Sequence, residues 1–296
     1  MKQTQTSLYP NVIIGGAPKC GTSSLFFWLG AHPEVCASKV KETYFLGDKE
    51  NRHNASANIH KDGLEAYQNF FSHSKGEKVR LEATPVYIYH KLPLEVLPTL
   101  PEVPKMIFIL REPSDRLYSH WRFNRYRMKN IKLSFEEYLD FDNAPKGWAD
   151  YMDQTHYIKH IQPYIEALGK ENVLVYQFEE IKKNKLAFMK KVASDLGISP
   201  EFYDSFDFFH RNQTVAVKNS KLHRIGLKIE PLVPQWLQEK IIPMYLKMNS
   251  SKLPTATVEE LKLKQKTKDQ FANSNQELAQ NFSNVDLALW GCGAEK

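Results

Sequence analysis

Residues 13 to 25 read Ile13-Ile14-Gly15-Gly16-Ala17-Pro18-Lys19-Cys20-Gly21-Thr22-Ser23-Ser24-Leu25. The β-branched run Val12 to Ile14 stops at Gly15-Gly16, and helical patterning begins at Thr22, with Thr22 or Ser23 expected to cap the helix. The order strand, glycine-rich turn, hydroxyl-rich helix start has one physical consequence. Backbone N–H groups of such a turn point inward and the helix dipole adds partial positive charge, so the turn favours an anion. Lys19 lies inside the turn as a mobile point charge, and Thr22, Ser23 and Ser24 each offer a hydroxyl donor.

Outward from this turn, the same alternation repeats. Lys105 to Leu110 is a second buried-strand candidate, halted before Pro113, and Asn172 to Tyr176 is a third. Continuous apolar runs, rather than alternating ones, predict a parallel sheet covered on both faces. Ser134-Phe-Glu-Glu137 has the form of a capping box opening a helix through Leu139, and Tyr157 to Leu168 and Leu186 to Leu196 carry helical spacing. Residues 222 to 248 read as helical but punctuated by Pro231, Pro234 and Pro243, and Glu50 to Asp62 reads as a polar surface loop. The expectation is an α/β fold: a P-loop-like parallel sheet flanked by helices on both faces, in a single domain with a helical C-terminal third.

Bulk properties are compatible with that. The chain has 296 residues, 42% hydrophobic and 25% charged, which suffices for one large core and argues against wholesale disorder. Its net charge of +6 and pI near 8.9 suit an anionic ligand without demanding one. Three widely spaced cysteines, Cys20, Cys36 and Cys292, support neither a disulfide framework nor a Cys-rich metal site. His156 and His160 have metal-pair spacing but no third ligand, so no metal site is expected. Arg125, Tyr126 and Arg127 fit the outer face of a helix better than a nucleic-acid surface, and no nucleic-acid partner is expected. No apolar run long enough for a membrane span occurs, and MKQTQTSLYP lacks the apolar core of a signal peptide, so a complete chain would be cytoplasmic.

The turn has the Gly16 and Gly21 spacing of a nucleotide-triphosphate P-loop, yet Thr22 stands where that motif carries lysine, and the lysine comes three residues earlier. A P-loop-like nucleotide kinase or NTPase is therefore the alternative reading. Ala17-Pro-Lys-Cys-Gly-Thr-Ser-Ser-Leu25 instead resembles the 5′-phosphosulfate loop of sulfotransferases, P-K-x-G-T-T/S-x-L. Leu110-Arg-Glu-Pro-Ser-Asp-Arg-Leu-Tyr-Ser-His120 resembles their 3′-phosphate element, R-x-P-x-x-R-x-x-S. The likeness extends more loosely to Tyr157–Tyr164, Asn172–Tyr176 and the C-terminal Leu278–Trp290, and is nearest the heparan sulfate and bacterial branch.

The resemblance implies a single sulfotransferase-like domain over residues 1–296. It implies 3′-phosphoadenosine 5′-phosphosulfate (PAPS) as donor, adenosine 3′,5′-bisphosphate (PAP) as product, and no required metal. Lys19, Cys20, Gly21, Thr22, Ser23 and Ser24 would hold the 5′ end of the donor. Arg111 and Ser119 would hold the 3′-phosphate, and Lys218 and Ser220 in a late basic loop would cover the nucleotide. Lys41-Glu-Thr-Tyr-Phe-Leu46 matches a K-E-x-x-F-F-like segment, which makes Glu42 the general base and Lys19 its catalytic partner at the leaving oxygen. The alternative for Glu42 is a surface pair with Lys39 or Lys41. His90 and His120 are backup bases.

Glu82-Ala-Thr-Pro-Val-Tyr87 resembles E-K-T/S-P-x-Y, but Ala83 replaces the lysine of the glycosaminoglycan enzymes. Glu82 is left with two readings, orienting an acceptor or forming a strand-end ion pair. The acceptor, a small molecule, lipid or saccharide, carries no code in the sequence.

Overall fold

The computed structural model describes residues 7–50, 57–140, 150–209, 216–219, 226, 241, 244–245 and 248–291. In chain order these form β1 (Val12–Gly16), α1 (Thr22–Gly30), β2 (Val35–Ala37), α2 (Ile59–Asp62), β3 (Val79–Ala83), α3 (Leu92–Val96), β4 (Lys105–Leu110), α4 (Pro113–Arg122), α5 (Phe135–Leu139), α6 (Tyr157–Leu168), β5 (Val173–Gln177), α7 (Phe178–Lys183), α8 (Lys185–Asp195), β6 (Ala216–Val217), β7 (Ser250–Ser251), α9 (Val258–Lys268) and α10 (Ala272–Asn281). They divide into two compact units. One comprises the described residues of Met1–Glu112, His156–Arg211 and Ala272–Lys296, the other those of Pro113–Thr155 and Asn212–Phe271.

The first unit holds a five-stranded sheet in the order β2-β3-β1-β4-β5, all parallel and flanked by helices. Every residue of β1 and β3 is buried, which requires cover on both faces. The three strands expected from apolar runs are present. Two more were not named from the sequence. Strand β2 has three residues, and β3, Val-Arg-Leu-Glu-Ala, carries two charges where a buried strand is expected to be apolar. Both charges are buried because each finds partners. Arg80 Nε donates to Tyr9 O at 2.6 Å, and Glu82 accepts two threonine hydroxyls. Beyond β5, the C-terminal segment hydrogen-bonds along the strand. Asn284 Nδ2 donates to Val175 O at 2.6 Å, and buried Gln177 exchanges hydrogen bonds with the Asp286 backbone at 3.0 and 2.7 Å. That covers an edge otherwise open to pairing.

The second unit packs Trp121, Ile131, Phe135 and Tyr138 into a small aromatic core. The capping box expected at Ser134 is formed with Glu137. Helix α9 is tied to α4 by Lys264 on Asp115 at 2.7 Å and by the Tyr118 hydroxyl on Glu260 at 2.7 Å. Arg125 lies over Trp121 and donates to Leu133 O at 2.7 Å, a structural task consistent with the helix-face reading. Most of residues 222–248, expected to be interrupted helix, lies outside the described residues, as does Cys292. Residues 59–62, expected within a loop, form a helical turn capped by Asn58, whose side chain accepts from Lys61 N. No helix among the described residues is long and apolar enough to cross a membrane.

One local expectation is corrected. Helix α1 is capped by Gly21, not by Thr22 or Ser23, which are its first helical residues. The turn reaches the helix through a left-handed residue, φ 94°, which glycine adopts without a Cβ penalty, and a Cβ there would stand 2.7 Å from the Phe178 ring. Gly21→Ala is expected to lose about 1–2 kcal/mol from backbone strain alone, with more from the Phe178 contact. A urea midpoint equal to the parent's would contradict this.

Glu82 supplies a second test. Its carboxyl is fully buried, and desolvation pushes its pKa up from 4.5 to about 7, against opposing hydrogen bonds from Thr84 and Thr43 and the charge of Lys41. Folded protein therefore holds this proton more tightly than unfolded chain. The stability due to this group is greatest below about pH 4.5 and declines as the pH rises through about 7. Urea midpoints measured across that window should fall less steeply in Glu82→Gln than in the parent, and equal slopes would sink the assignment.

Candidate active site

Strands β3, β1 and β4 are adjacent and parallel, so their carboxyl ends share one edge of the sheet. Each delivers part of the expected site there, which is where ligands of open α/β sheets bind. Strand β1 runs into the glycine-rich turn, and β4 runs into Arg111. The end of β3 holds Glu42, whose backbone N–H donates to Ala83 O at 2.8 Å.

The turn has the backbone geometry expected of a phosphate-binding loop. Ala17 N is tied to Ile109 O of β4 at 2.9 Å and Cys20 N to Ala17 O at 3.3 Å, which fixes the loop against the neighbouring strand. Lys19 (φ 73°) and Gly21 (φ 94°) are both left-handed, an alternation that turns successive amides toward a common centre. No side chain caps α1, and the first amides of any helix have no carbonyl of their own helix to meet. Lys19, Ser23 and Ser24 are half-buried at this turn, whereas Cys20 and Thr22 are buried. The buried Cys20 thiol lies 3.7 Å from the Tyr157 hydroxyl and 3.7 Å from Pro18 O.

Tyr157 joins the two expected phosphate elements. Its hydroxyl, beside the Cys20 thiol, donates to Arg111 O at 2.9 Å. Phe178, the first residue of α7, is a second link. The Arg111 guanidinium lies 5.4 Å from its ring centroid, and the same ring fills the space where Gly21 would carry a Cβ. The α7 N-terminus is anchored in turn, with Glu179 accepting from Glu112 N at 3.3 Å and from Trp290 Nε1 at 2.9 Å. Neither Tyr157 nor Phe178 was singled out from the sequence. An aromatic residue opening a helix carries no local signal of what it will touch.

Glu42 sits in a strained turn. It and Tyr44 have φ of 64° and 50°, a conformation that costs non-glycine residues about 1–2 kcal/mol each and clusters at functional sites. Its carboxylate is held on both sides, by Lys41 Nζ on Oε1 and by the Tyr44 hydroxyl on Oε2 at 3.1 Å. Of the two lysines considered as partners, Lys41 makes the pair, while Lys39 Nζ donates to Ser72. Glu42 keeps 37% of its side-chain surface exposed, enough to meet a ligand. Glu82, read as a possible strand-end ion pair, makes no such pair among the described residues: its Oε1 accepts from Thr43 and Thr84 hydroxyls at 2.9 and 2.6 Å.

The remaining expected residues are carried by other segments of the chain. Ser119 is half-buried on α4 of the second unit. Lys218 is exposed after β6, its backbone N–H donating to Asn249 O at 3.0 Å, and Ser220 lies outside the described residues. Of the backup bases, His90 is pushed below its usual pKa by burial, and its Nδ1 accepts from Asp48 N at 3.0 Å. His120 Nδ1 is 3.1 Å from the Tyr138 hydroxyl, inside the aromatic cluster of the second unit. His156 precedes α6 at its N-cap, and His160 packs edge-on against Tyr89.

Comparison with known proteins bears on this geometry. The human bifunctional heparan sulfate N-deacetylase/N-sulfotransferase 2 (Homo sapiens) is 24% identical over 67% of this chain and 23% of its own length. Mouse heparan sulfate glucosamine 3-O-sulfotransferase 3B1 (Mus musculus) is 25% identical over 69% of this chain and 50% of its own. The chain thus spans between about a quarter and a half of these curated relatives. A crystal structure of a sulfotransferase from Alicyclobacillus acidocaldarius superimposes with a TM-score of 0.58 and 26% identity, covering 69% of this chain and 86% of that one. The sulfotransferase domain family matches residues 9–222, well over half of the sequence and inclusive of the turn, Glu42 and Arg111. A chain with that match and that sheet edge belongs to the sulfotransferase domain family.

Proposed function

We propose that this chain transfers a sulfuryl group from PAPS to an acceptor hydroxyl or amine, with Glu42 as general base. The observation that carries the reading is the meeting of three elements at the carboxyl ends of β3, β1 and β4: the Glu42 turn, the Lys19 loop and Arg111. An anion-binding turn and a guanidinium, linked through Tyr157 and Phe178, suit the two phosphate-bearing ends of one nucleotide. The motif spacing of Arg111 and Ser119 supports a shared grip on the 3′-phosphate, and Lys218 and Ser220 are carried as covering residues on the same footing. Residues 1–296 are read as one sulfotransferase-like domain because the family match runs through segments of both compact units.

The chemistry requires little covalent help. The acceptor O–H or N–H attacks sulfur in line. Its proton passes to the Glu42 carboxylate as the new bond to sulfur forms, and the bond from sulfur to the bridging oxygen breaks, leaving PAP. Negative charge growing on that oxygen is assigned to Lys19 and the loop amides, fixed donors that need no reorganisation at the moment of transfer. A Mg·ATP reaction fits the residues less well, since Thr22 stands where P-loops carry lysine. For the acceptor, the names of the two heparan sulfate relatives cover transfer to nitrogen and to oxygen, so a saccharide is the first class to screen. Ala83 in place of the glycosaminoglycan enzymes' lysine argues for including lipid and phenolic acceptors as well.

Two measurements test this. In a thermal-shift comparison, PAP should stabilise the protein, by about 2.7 kcal/mol at a hundredfold excess over Kd, and Mg·ATP should not. The reverse pattern would turn the reading toward a kinase. With radiolabelled PAPS and a panel of heparan sulfate, a glucosamine glycoside, a sterol and a phenol, Glu42→Gln should lose about 10²–10⁴ in turnover while binding PAP as the parent does. Near-parental turnover in that variant would remove Glu42 from the mechanism.

A further inference from the structure

We infer that Glu82 is a positioning residue, a buried anchor that holds the Lys41–Tyr44 turn, through Thr43 and Thr84, in the conformation that presents Glu42. The inference rests on the reading of Glu42 as the base and adds what sets its geometry.

Glu82 lies on β3 in register with Ile13 of β1 and has no exposed surface. A carboxyl at such a position is costly to bury and is retained only where its hydrogen bonds matter. Both of its described hydrogen bonds lead to the same short segment. In one arm, Oε1 accepts from the Thr43 hydroxyl at 2.9 Å, and Thr43 Oγ accepts from Phe45 N at 3.2 Å. In the other, Oε1 accepts from the Thr84 hydroxyl at 2.6 Å, and Thr84 Oγ accepts from Tyr44 N at 3.2 Å. Each hydroxyl has one proton and gives it to the carboxyl, so its oxygen is oriented to receive the backbone amide. One buried oxygen thereby fixes two consecutive N–H groups.

The residues so fixed are those that hold the base. Thr43 is buried between Glu42 and Tyr44, the two left-handed residues, and the Tyr44 hydroxyl donates to Glu42 Oε2. A turn of two strained residues relaxes unless its surroundings over-determine it. Just beyond it, Leu46 N donates to the Tyr87 hydroxyl at 3.0 Å, the same hydroxyl lies 3.4 Å from Thr43 Oγ1, and Phe45 stacks on Tyr67 at 4.5 Å, so packing downstream adds to the hold of the Thr43 arm. What the two arms fix directly are the amides of Tyr44 and Phe45, and through the Tyr44 hydroxyl on Glu42 Oε2 they set where the base stands.

Three single variants, one double variant and three readouts test it. Thr43→Val keeps shape and removes the hydroxyl, Thr43→Ser restores the hydroxyl, and Glu82→Met removes the carboxyl. A misplaced base costs turnover without costing donor binding. Thr43→Val and Glu82→Met should therefore each lower kcat by about 10–100-fold while PAP affinity, measured by calorimetry, stays within about twofold. Thr43→Ser should recover most of the loss, and the Thr43→Val/Glu82→Met pair should be no worse than the poorer single variant, because the two act as one unit. Independently of any acceptor, amide hydrogen exchange at Tyr44 and Phe45 should quicken about tenfold or more in Thr43→Val, with β1 and β4 unchanged. Unchanged exchange, multiplicative losses, or parental kcat in Thr43→Val would overturn the inference. If Glu82→Met does not fold, the Thr43 pair decides it. An inactive Glu42→Gln beside a fully active Thr43→Val would sink only the positioning role, whereas an active Glu42→Gln would sink the base and this role together.

Discussion

Strand β1 is hydrogen-bonded between β3 and β4, and the parallel sense of that three-strand ladder is the constraint on which the site depends. Parallel strands send their carboxyl ends to one edge, so three turns far apart in sequence emerge side by side. An antiparallel pairing of either neighbour would send Glu42 or Arg111 to the opposite edge. The direction of the strands follows from the helices between them, since a chain can return to start a parallel strand only by crossing over a face of the sheet. The same crossovers bury both faces, which is why β1, β3 and β4 tolerate so little exposure.

Around that edge the backbone accepts local costs that the core offsets. Lys19, Gly21, Glu42 and Tyr44 are all left-handed. Each such non-glycine residue costs about 1–2 kcal/mol, while burying one large apolar side chain contributes about 1.5–3 kcal/mol. Trp28, Phe45, Leu46 and Ile109, all essentially buried, pack in the same core, so the strain is small beside the burial that surrounds it. What keeps the strained segments from relaxing is specific rather than diffuse. Phe178 occupies the space beside Gly21, Tyr157 ties the Cys20 loop to Arg111, and Glu82 receives the hydroxyls beside the Glu42 turn. The last two are hydrogen bonds that an apolar core of the same volume would not supply.

The outlines of this arrangement were legible in the chain. Val12–Ile14, Lys105–Leu110 and Asn172–Tyr176 read as buried strands because their apolar runs are continuous, and the helix over Tyr157–Leu168 read correctly from its spacing. Strand β3 escaped notice because Arg80 and Glu82 look like solvent-facing residues, and only their distant partners, Tyr9 and Thr43, make them core. The cap of α1 was misassigned because a hydroxyl residue at a helix start is the commoner cap, and the demand for a left-handed residue at Gly21 comes from the path of the turn rather than from its composition.

By itself, then, the sequence determined what is local: the strand runs, the glycine turn with its lysine, and the arginine placed directly after a strand. Backbone propensity, charge and residue spacing act over a few residues, and those can be read in order along the chain. Only the tertiary structure decided which residues touch across long separations, such as Tyr157 with Cys20 and Arg111, Phe178 with Gly21, and Thr43 with Glu82. Those contacts arise from strand order and helix packing, and a side chain's neighbours in space are set by the whole fold at once.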